Sequence, residues 1–394
     1  MHVLILPSYY PSPERPVTGI FFHEQARALK KAGHQVGVLV TPRLDVTRAY
    51  LKRVGLRNAA QTSREHYFSE FPVYRMHWGW FPRPFPPLVA LLIRQAGFRA
   101  FELYCAEQGR PEVIHAHNIF YGGYLAAQIG QKYGIPVVLT EHSTSYMEGL
   151  IIFPGQPQII RSTLRKLKVR LAVSEALAAA IRPYAPEQPI GVIGNIVDTD
   201  FFTPDAAALA SDFTFSVIGT LEPRKRQALL LEAFAAQFKG QPVFLRVGGE
   251  GATRPKLEAQ AAELGVTEQV VFLGRLSREQ VRDELHRCHA LVSCSLVESF
   301  GVTLVEALAC GKPVIATRSG GPESFVRPED GLLIPTEDVQ ALARALQSMR
   351  DGYAAYNAEN IRAACVERFG EAAIVRSLSE AYLTARGANV KPGL

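Results

Sequence analysis

Two parallel-sheet α/β domains of Rossmann type, facing each other across a cleft, are predicted for this chain of 394 residues. Three observations carry the prediction. Short β-branched runs alternate with longer amphipathic ones, the rhythm of parallel strands covered by helices. That rhythm stops near a Gly-, Asp-, Thr- and Pro-containing stretch and then starts again. The length suits two cores of about 200 residues each.

Taken in order, "HVLILP" (2–7) reads as a strand, "FFHEQARALKKAGH" (21–34) as a helix and "QVGVLVTP" (35–42) as a strand. "EVIHAH" (112–117), "PVVLTEH" (136–142) and "VRLAVS" (169–174) follow as strands with helical stretches between them. "GVIGNIVDTDFFTPDAAALASD" (191–212) reads as the boundary, so one domain is expected over 1–195 and a second over 196–370. The second has strand candidates in "FTFSVIGT", "VFLRVGGE", "VVFLGRL", "ALVSCS", "PVIAT" and "GLLIP". Only helical periodicity continues past Tyr353, and a last helix over about 371–388 is expected to pack back onto the first domain.

Composition excludes several function classes. The hydrophobic fraction of 47 %, with 31 Gly and 26 Pro, is that of a globular protein. The opening "MHVLILPSYYPSP" has too short an apolar run for a secretory signal, and no segment reaches the roughly 18 apolar residues needed to cross a bilayer. A cytoplasmic location, able to touch the inner face of the cell membrane, is the expectation. Five cysteines without a C-x-x-C pair argue against a disulfide framework, and "HRCH" (286–289) reads as a solvated helix face, not a metal site. Neither domain carries G-x-G-x-x-G after its first strand, and Walker A is absent, so dehydrogenase and P-loop readings lose their support. Charge is uneven: residues 1–195 hold 22 Lys and Arg against 12 Asp and Glu, while the remainder is net acidic. The basic half suggests an anionic partner.

The stretch with chemistry in it is "ESFGVTLVE" (298–306). Gly311 before Lys312 and Pro313 stops a helix that should run from about Val302 to Cys310, leaving Glu298 in the preceding loop and Glu306 about one turn inside. A helix N-terminus presents unpaired N–H groups to a phosphate, and Gly301 lets that phosphate approach the backbone. Carboxylates accept hydrogen bonds from paired hydroxyls, so the spacing fits a sugar nucleotide. On spacing alone, a capping Glu298 and a solvated Glu306 fit as well.

The surrounding stretches add to this pattern. "ESFGVTLVEALACGKPVIAT" resembles the Glu, seven residues, Glu signature of the retaining GT-B glycosyltransferases, in the large group 1 or family four class of bacterial glycan-assembly enzymes. "GIFFHEQARALKKAGHQVGVL", "VIHAH", "LTEH", "IGTLEPRKR", "VGGEG" and "FLGRLSREQV" resemble its other segments in the same order, over nearly the whole chain. The resemblance implies that Glu298 contacts the donor sugar, that Glu306 holds the nucleoside ribose, and that the backbone at Phe300, Gly301, Val302 and Thr303 meets the diphosphate. It implies that Lys225 stabilises charge on the leaving diphosphate. Gly19 would lie near donor phosphates and acceptor, His142 would hydrogen-bond the donor sugar, and His117 would face the acceptor. Two departures stand out: Thr220 occupies a position that is often Arg, with Arg224 or Arg226 as candidate replacements, and the usual Pro-Asn-Gly-Val-Asp hinge reads "GNIVD".

The implied reaction is metal-independent transfer with retention, without a protein nucleophile and without a cofactor, from a nucleotide diphosphate sugar to a glycan or lipid-diphosphate-linked acceptor. "DTD" (198–200) is read as turn chemistry, not as a metal site. On the acceptor side, Arg161, Arg165, Lys166, Lys168 and Arg170, with Trp78, Trp80, Phe81 and Phe85, suit an anionic membrane interface. Nucleic acid is set aside because no binding motif accompanies the charge. The alternatives are a sugar-nucleotide 2-epimerase of the same architecture and a non-catalytic glycan-binding protein.

Overall fold

The computed structural model describes residues 1–41, 61–65, 70–77, 86–151 and 153–388. Two compact units emerge. The first holds Met1–Val173, Leu177–Ile193 and the chain from Ile374 onward; the second holds Gly194–Ala373 with Ser174–Ala176.

In the first unit the strands are β1 (His2–Pro7), β2 (Gln35–Val40), β3 (Gln61–Glu65), β4 (Val73–His77), β5 (Val113–His117), β6 (Val137–Glu141), β7 (Val169–Ala172) and β8 (Gly191–Val192). Helices α1 (Ile20–Lys31), α2 (Pro86–Gln108), α3 (Tyr124–Tyr133), α4 (Gln156–Lys166) and α5 (Glu175–Ile181) connect them. The sheet order is β3-β4-β2-β1-β5-β6-β7-β8, parallel except for β3 against β4. Continuous apolar runs such as Val3–Leu6 are wholly buried, as strands covered on both faces must be. The edge strand β3 escapes a sequence reading because "QTSRE" is polar throughout and shows no alternation.

The second unit contains β9 (Phe213–Ile218), β10 (Val243–Gly248), β11 (Val270–Gly274), β12 (Ala290–Ser293), β13 (Val314–Thr317) and β14 (Gly331–Ile334). Its helices are α6 (Gln227–Phe238), α7 (Arg254–Leu264), α8 (Arg278–Arg287), α9 (Val302–Ala309), α10 (Val339–Gly352) and α11 (Ala358–Phe369). The order β11-β10-β9-β12-β13-β14 is parallel throughout. Phe215, Phe234, Phe238, Leu346 and Met349 are fully buried in its core. Each such side chain contributes about 1.5–3 kcal/mol of burial. All six strands read from the sequence are present. The last helix, α12 (Glu371–Ala385), continues into the first unit, where Tyr382 hydrogen-bonds His115 at 2.8 Å.

Two sequence readings change here. Arg170 is no part of a surface charge run: β7 carries it inward to 7 % exposure, and its guanidinium donates to the carbonyls of Leu164, at 2.8 Å, and Leu167. It closes the C-terminal end of α4, where carbonyls lack helical partners. Arg170→Met is therefore expected to cost about 1–3 kcal/mol of stability by denaturant unfolding, because the carbonyls it satisfies stay buried. In the "HRCH" stretch His286, Cys288 and His289 are likewise buried, and only Arg287 is exposed. His286 bonds the Thr203 carbonyl at 2.7 Å, Cys288 has no exposure, and His289 accepts from Thr214 N–H at 3.1 Å while stacking on Phe213.

Both sheets have one place where successive strands depart in opposite directions from the first strand laid down: between β1 and β5, and between β9 and β12. In open parallel sheets, ligands bind beyond the carboxyl ends of the strands at such a switch point.

Candidate active site

In the second unit, Lys225 follows β9 and Glu298 follows β12, the two strands that flank the switch point. Lys225 lies in the 3-10 turn Pro223–Lys225, and its ammonium pairs with the Glu298 carboxylate. Both side chains keep limited exposure, 20 % and 15 %. The two loops are stitched together elsewhere as well. Leu296 N–H donates to the Arg224 carbonyl at 2.8 Å, and the buried Cys294 thiol donates to the carbonyls of Lys225 and Arg226 at 3.2 and 3.3 Å.

The Glu298 backbone is held from the other side by the segment after β13. Its N–H donates to the Ser319 carbonyl at 2.9 Å, and its carbonyl accepts from Gly321 N–H at 2.7 Å. A side chain at Gly321 would press on the Phe300 backbone at about 2.5 Å, so this approach requires glycine. Ser319 and Gly321 were not singled out from the sequence; the Gly-Gly-Pro run after a strand was the available signal.

Gly301 begins α9 at φ 103, ψ 61, a left-handed conformation that favours glycine. No side chain caps this helix, so the amides of its first turn, Val302 and Thr303, have no intrahelical partner. Phe300 contributes backbone only: its ring is 2 % exposed and packs on Phe325 and Phe369, with centroids 5.1 and 5.6 Å away. Glu306 is half-buried one turn along α9. Neither candidate for the missing arginine is uncommitted, since Arg224 pairs with Glu222 at 3.1 Å and Arg226 pairs with Glu337. Thr220 itself is exposed.

In the first unit, Gly19, His117 and His142 gather around one ring. Gly19 opens α1 at φ 74, and a side chain there would meet Phe22 and Tyr9 at 3.0 Å. Phe22 in turn lies 4.5 Å from the His117 ring and 5.0 Å from the His142 ring, centroid to centroid. His117 ends β5 in register with Pro7 of β1 and Thr140 of β6, which sets all three strand exits level. His117 Nδ1 and His142 Nε2 are 3.1 Å apart and share a hydrogen bond. Burial, with His115 and His142 nearby, holds His117 well below the usual imidazole range, so it is neutral. His115, fixed by Tyr382 and by Thr140 at 2.9 Å, is pushed down to about 3 by burial.

Arg161, Arg165, Lys166 and Lys168 are exposed on and just after α4. Trp78, Trp80, Phe81 and Phe85 lie outside the described residues. Among the described residues no helix is long and apolar enough to cross a membrane.

A family model described as Glycosyltransferase Family 4 matches residues 18–201, and one described as Glycosyl transferases group 1 matches residues 202–364. A D-inositol 3-phosphate glycosyltransferase from Thermobispora bispora is 30 % identical over 71 % of this chain and 72 % of its own. The chain belongs to glycosyltransferase family 4. This is the family that the Glu, seven residues, Glu signature pointed to. The same-named protein of Mycobacteroides abscessus is 29 % identical over 61 % of this chain, and the match spans 58 % of that relative's length. An Anabaena HepE structure, described as a complex with UDP, covers 97 % of this chain and 99 % of its own with TM-score 0.73 at 20 % identity, a likeness of fold. The pair of Rossmann-like units is thus the GT-B architecture of family 4.

Proposed function

We propose that this family 4 member is a retaining glycosyltransferase that moves a hexose-type unit from a nucleoside diphosphate sugar to a hydroxyl of a glycan or lipid-linked acceptor. The observation that carries the reading is the Lys225–Glu298 pair at the switch point of the second sheet, beside the uncapped N-terminus of α9. A diphosphate lying against Gly301, Val302 and Thr303 gains the helix dipole and its free amides. Lys225 then faces the charge that builds on the leaving phosphate, and Glu298 the hydroxyls of the departing sugar. The bond from the anomeric carbon to phosphate oxygen breaks, and a bond to acceptor oxygen forms on the same face. The acceptor proton passes to the leaving phosphate, so no side-chain nucleophile is required. His142 and His117 are assigned to the donor sugar and the acceptor side, and Gly19 to close backbone approach.

Glu306 is assigned to the ribose. Glu306→Ala is accordingly expected to weaken nucleotide binding about 10-fold or more while leaving kcat within a few-fold, a split visible in titration calorimetry against steady-state rates. The acceptor is proposed to be anionic or membrane-borne, met by Arg161, Arg165, Lys166 and Lys168, which gives a protein that works at the inner face of the cell membrane.

A thermal-shift panel of UDP, GDP and ADP with their sugars tests the donor. A nucleotide that binds only the folded state raises its melting temperature by mass action, and one base should stand out. No shift with any of them would sink the reading. Conversion of donor to its 2-epimer without acceptor would replace transfer by epimerisation.

A further inference from the structure

Glu141 ends β6, is 1 % exposed, and pairs with no Lys or Arg among the described residues. All of its partners are backbone. One carboxylate oxygen, Oε2, accepts from Ile119 N–H at 2.6 Å; the other, Oε1, accepts from the N–H groups of His142 and Ser143, both at 2.8 Å. These amides belong to the chain leaving β5, just after His117, and to the chain leaving β6, at His142. We propose that Glu141 is a positioning residue for sugar transfer, clamping both strand exits so that His117 and His142 keep their shared hydrogen bond and their places around Phe22.

Two features separate this role from plain packing. Burying a carboxylate without a cation is unfavourable, and what offsets the cost at this position is the set of three backbone donors. Burial pushes the Glu141 carboxyl up to about 7 in spite of its three amide donors, the direction expected for a charge held without a cation. The segment it holds is also strained. Asn118 sits at φ 65, ψ 133 and Tyr121 at φ 71, ψ −73, conformations that non-glycine residues adopt only when their surroundings impose them. Ser8 Oγ braces the same turn, donating to the carbonyl of His117 or Phe120 and accepting from Gly122 N–H at 3.0 Å. An acceptor with two oxygens can serve three donors on two segments. Gln offers one oxygen and would turn its NH2 towards an N–H.

The inference rests on the transferase reading, and Glu141→Gln tests it in the full chain. The expected result is a fall in kcat of about 100-fold, as for a misplaced reacting group. Affinity for the nucleoside diphosphate, bound by the second unit, should stay within about twofold, and the melting temperature should change little, because removing a buried charge offsets the donor that the amide leaves unserved. Wild-type kcat in this variant would overturn the proposal, as would a rate loss that simply follows lost stability or lost nucleotide binding. If Glu141→Gln does not fold, Glu141→Asp decides, because it keeps two acceptor oxygens on a shorter stem. Reduced kcat at unchanged nucleotide affinity supports the clamp; wild-type kcat ends it. A wild-type protein inactive with every donor would indict the transferase reading instead.

Discussion

Glu298→Gln is expected to lower kcat by about 100- to 1,000-fold while changing nucleotide affinity little. The substitution preserves volume and one hydrogen-bonding oxygen, so the backbone bonds to Ser319 and Gly321 should hold the loop where it is. What it removes is the charge that pairs with Lys225. In the free protein that ion pair orients both groups at the mouth of β9 and β12. In the proposed reaction Lys225 serves the leaving diphosphate and Glu298 the sugar hydroxyls, for which an amide is the poorer acceptor. The loss should therefore fall on the step in which charge moves. Single-turnover rates with saturating donor check this directly. An unchanged rate would leave Glu298 as the structural partner of Lys225 alone, and a matching loss of nucleotide affinity would place it on the nucleotide instead of the sugar.

The parts of this site that residue spacing alone could place lie along a single loop and helix. Glu298, Gly301 and Glu306 follow one another along one segment, so helix period and a left-handed glycine suffice to place them. Features that depend on which strand lies beside which were not legible. Ser319 and Gly321 brace Glu298 because β13 is the neighbour of β12. Glu141 finds Ile119 because β6 is the neighbour of β5. In "PVVLTEH" the histidine drew attention, although a carboxylate at the end of an apolar strand is the more costly residue to bury. Arg170 was misread for a related reason. It was counted with the charges before it, whereas it is the second residue of strand β7, "VRLA", which runs between β6 and β8.

Gly249→Ala should damage the protein more than most core substitutions, although it adds a single methyl group. Gly249 lies at φ 138, where an L side chain is strained, and its added Cβ would overlap the carbonyl oxygen of Gly219. That oxygen belongs to backbone, so no side-chain rotation relieves the contact. The backbone there is fixed twice, by Gly219 N–H donating to Gly248 at 2.9 Å and Gly249 N–H donating to Gly274 at 2.7 Å, which link the exits of β9, β10 and β11. Relief requires that one of these exits move. We expect a cost of about 3–5 kcal/mol and a melting point lower by roughly 10 °C for a unit of this size. The functional consequence follows from the chain: Gly219 is six residues before Lys225, on the same β9 exit. Nucleotide affinity measured well below the new melting point should therefore fall along with stability. A variant that loses stability but binds nucleotide normally would mean that the Lys225 turn is set by Cys294 and Leu296 alone, and that the glycines of "VGGEG" serve packing and not the donor.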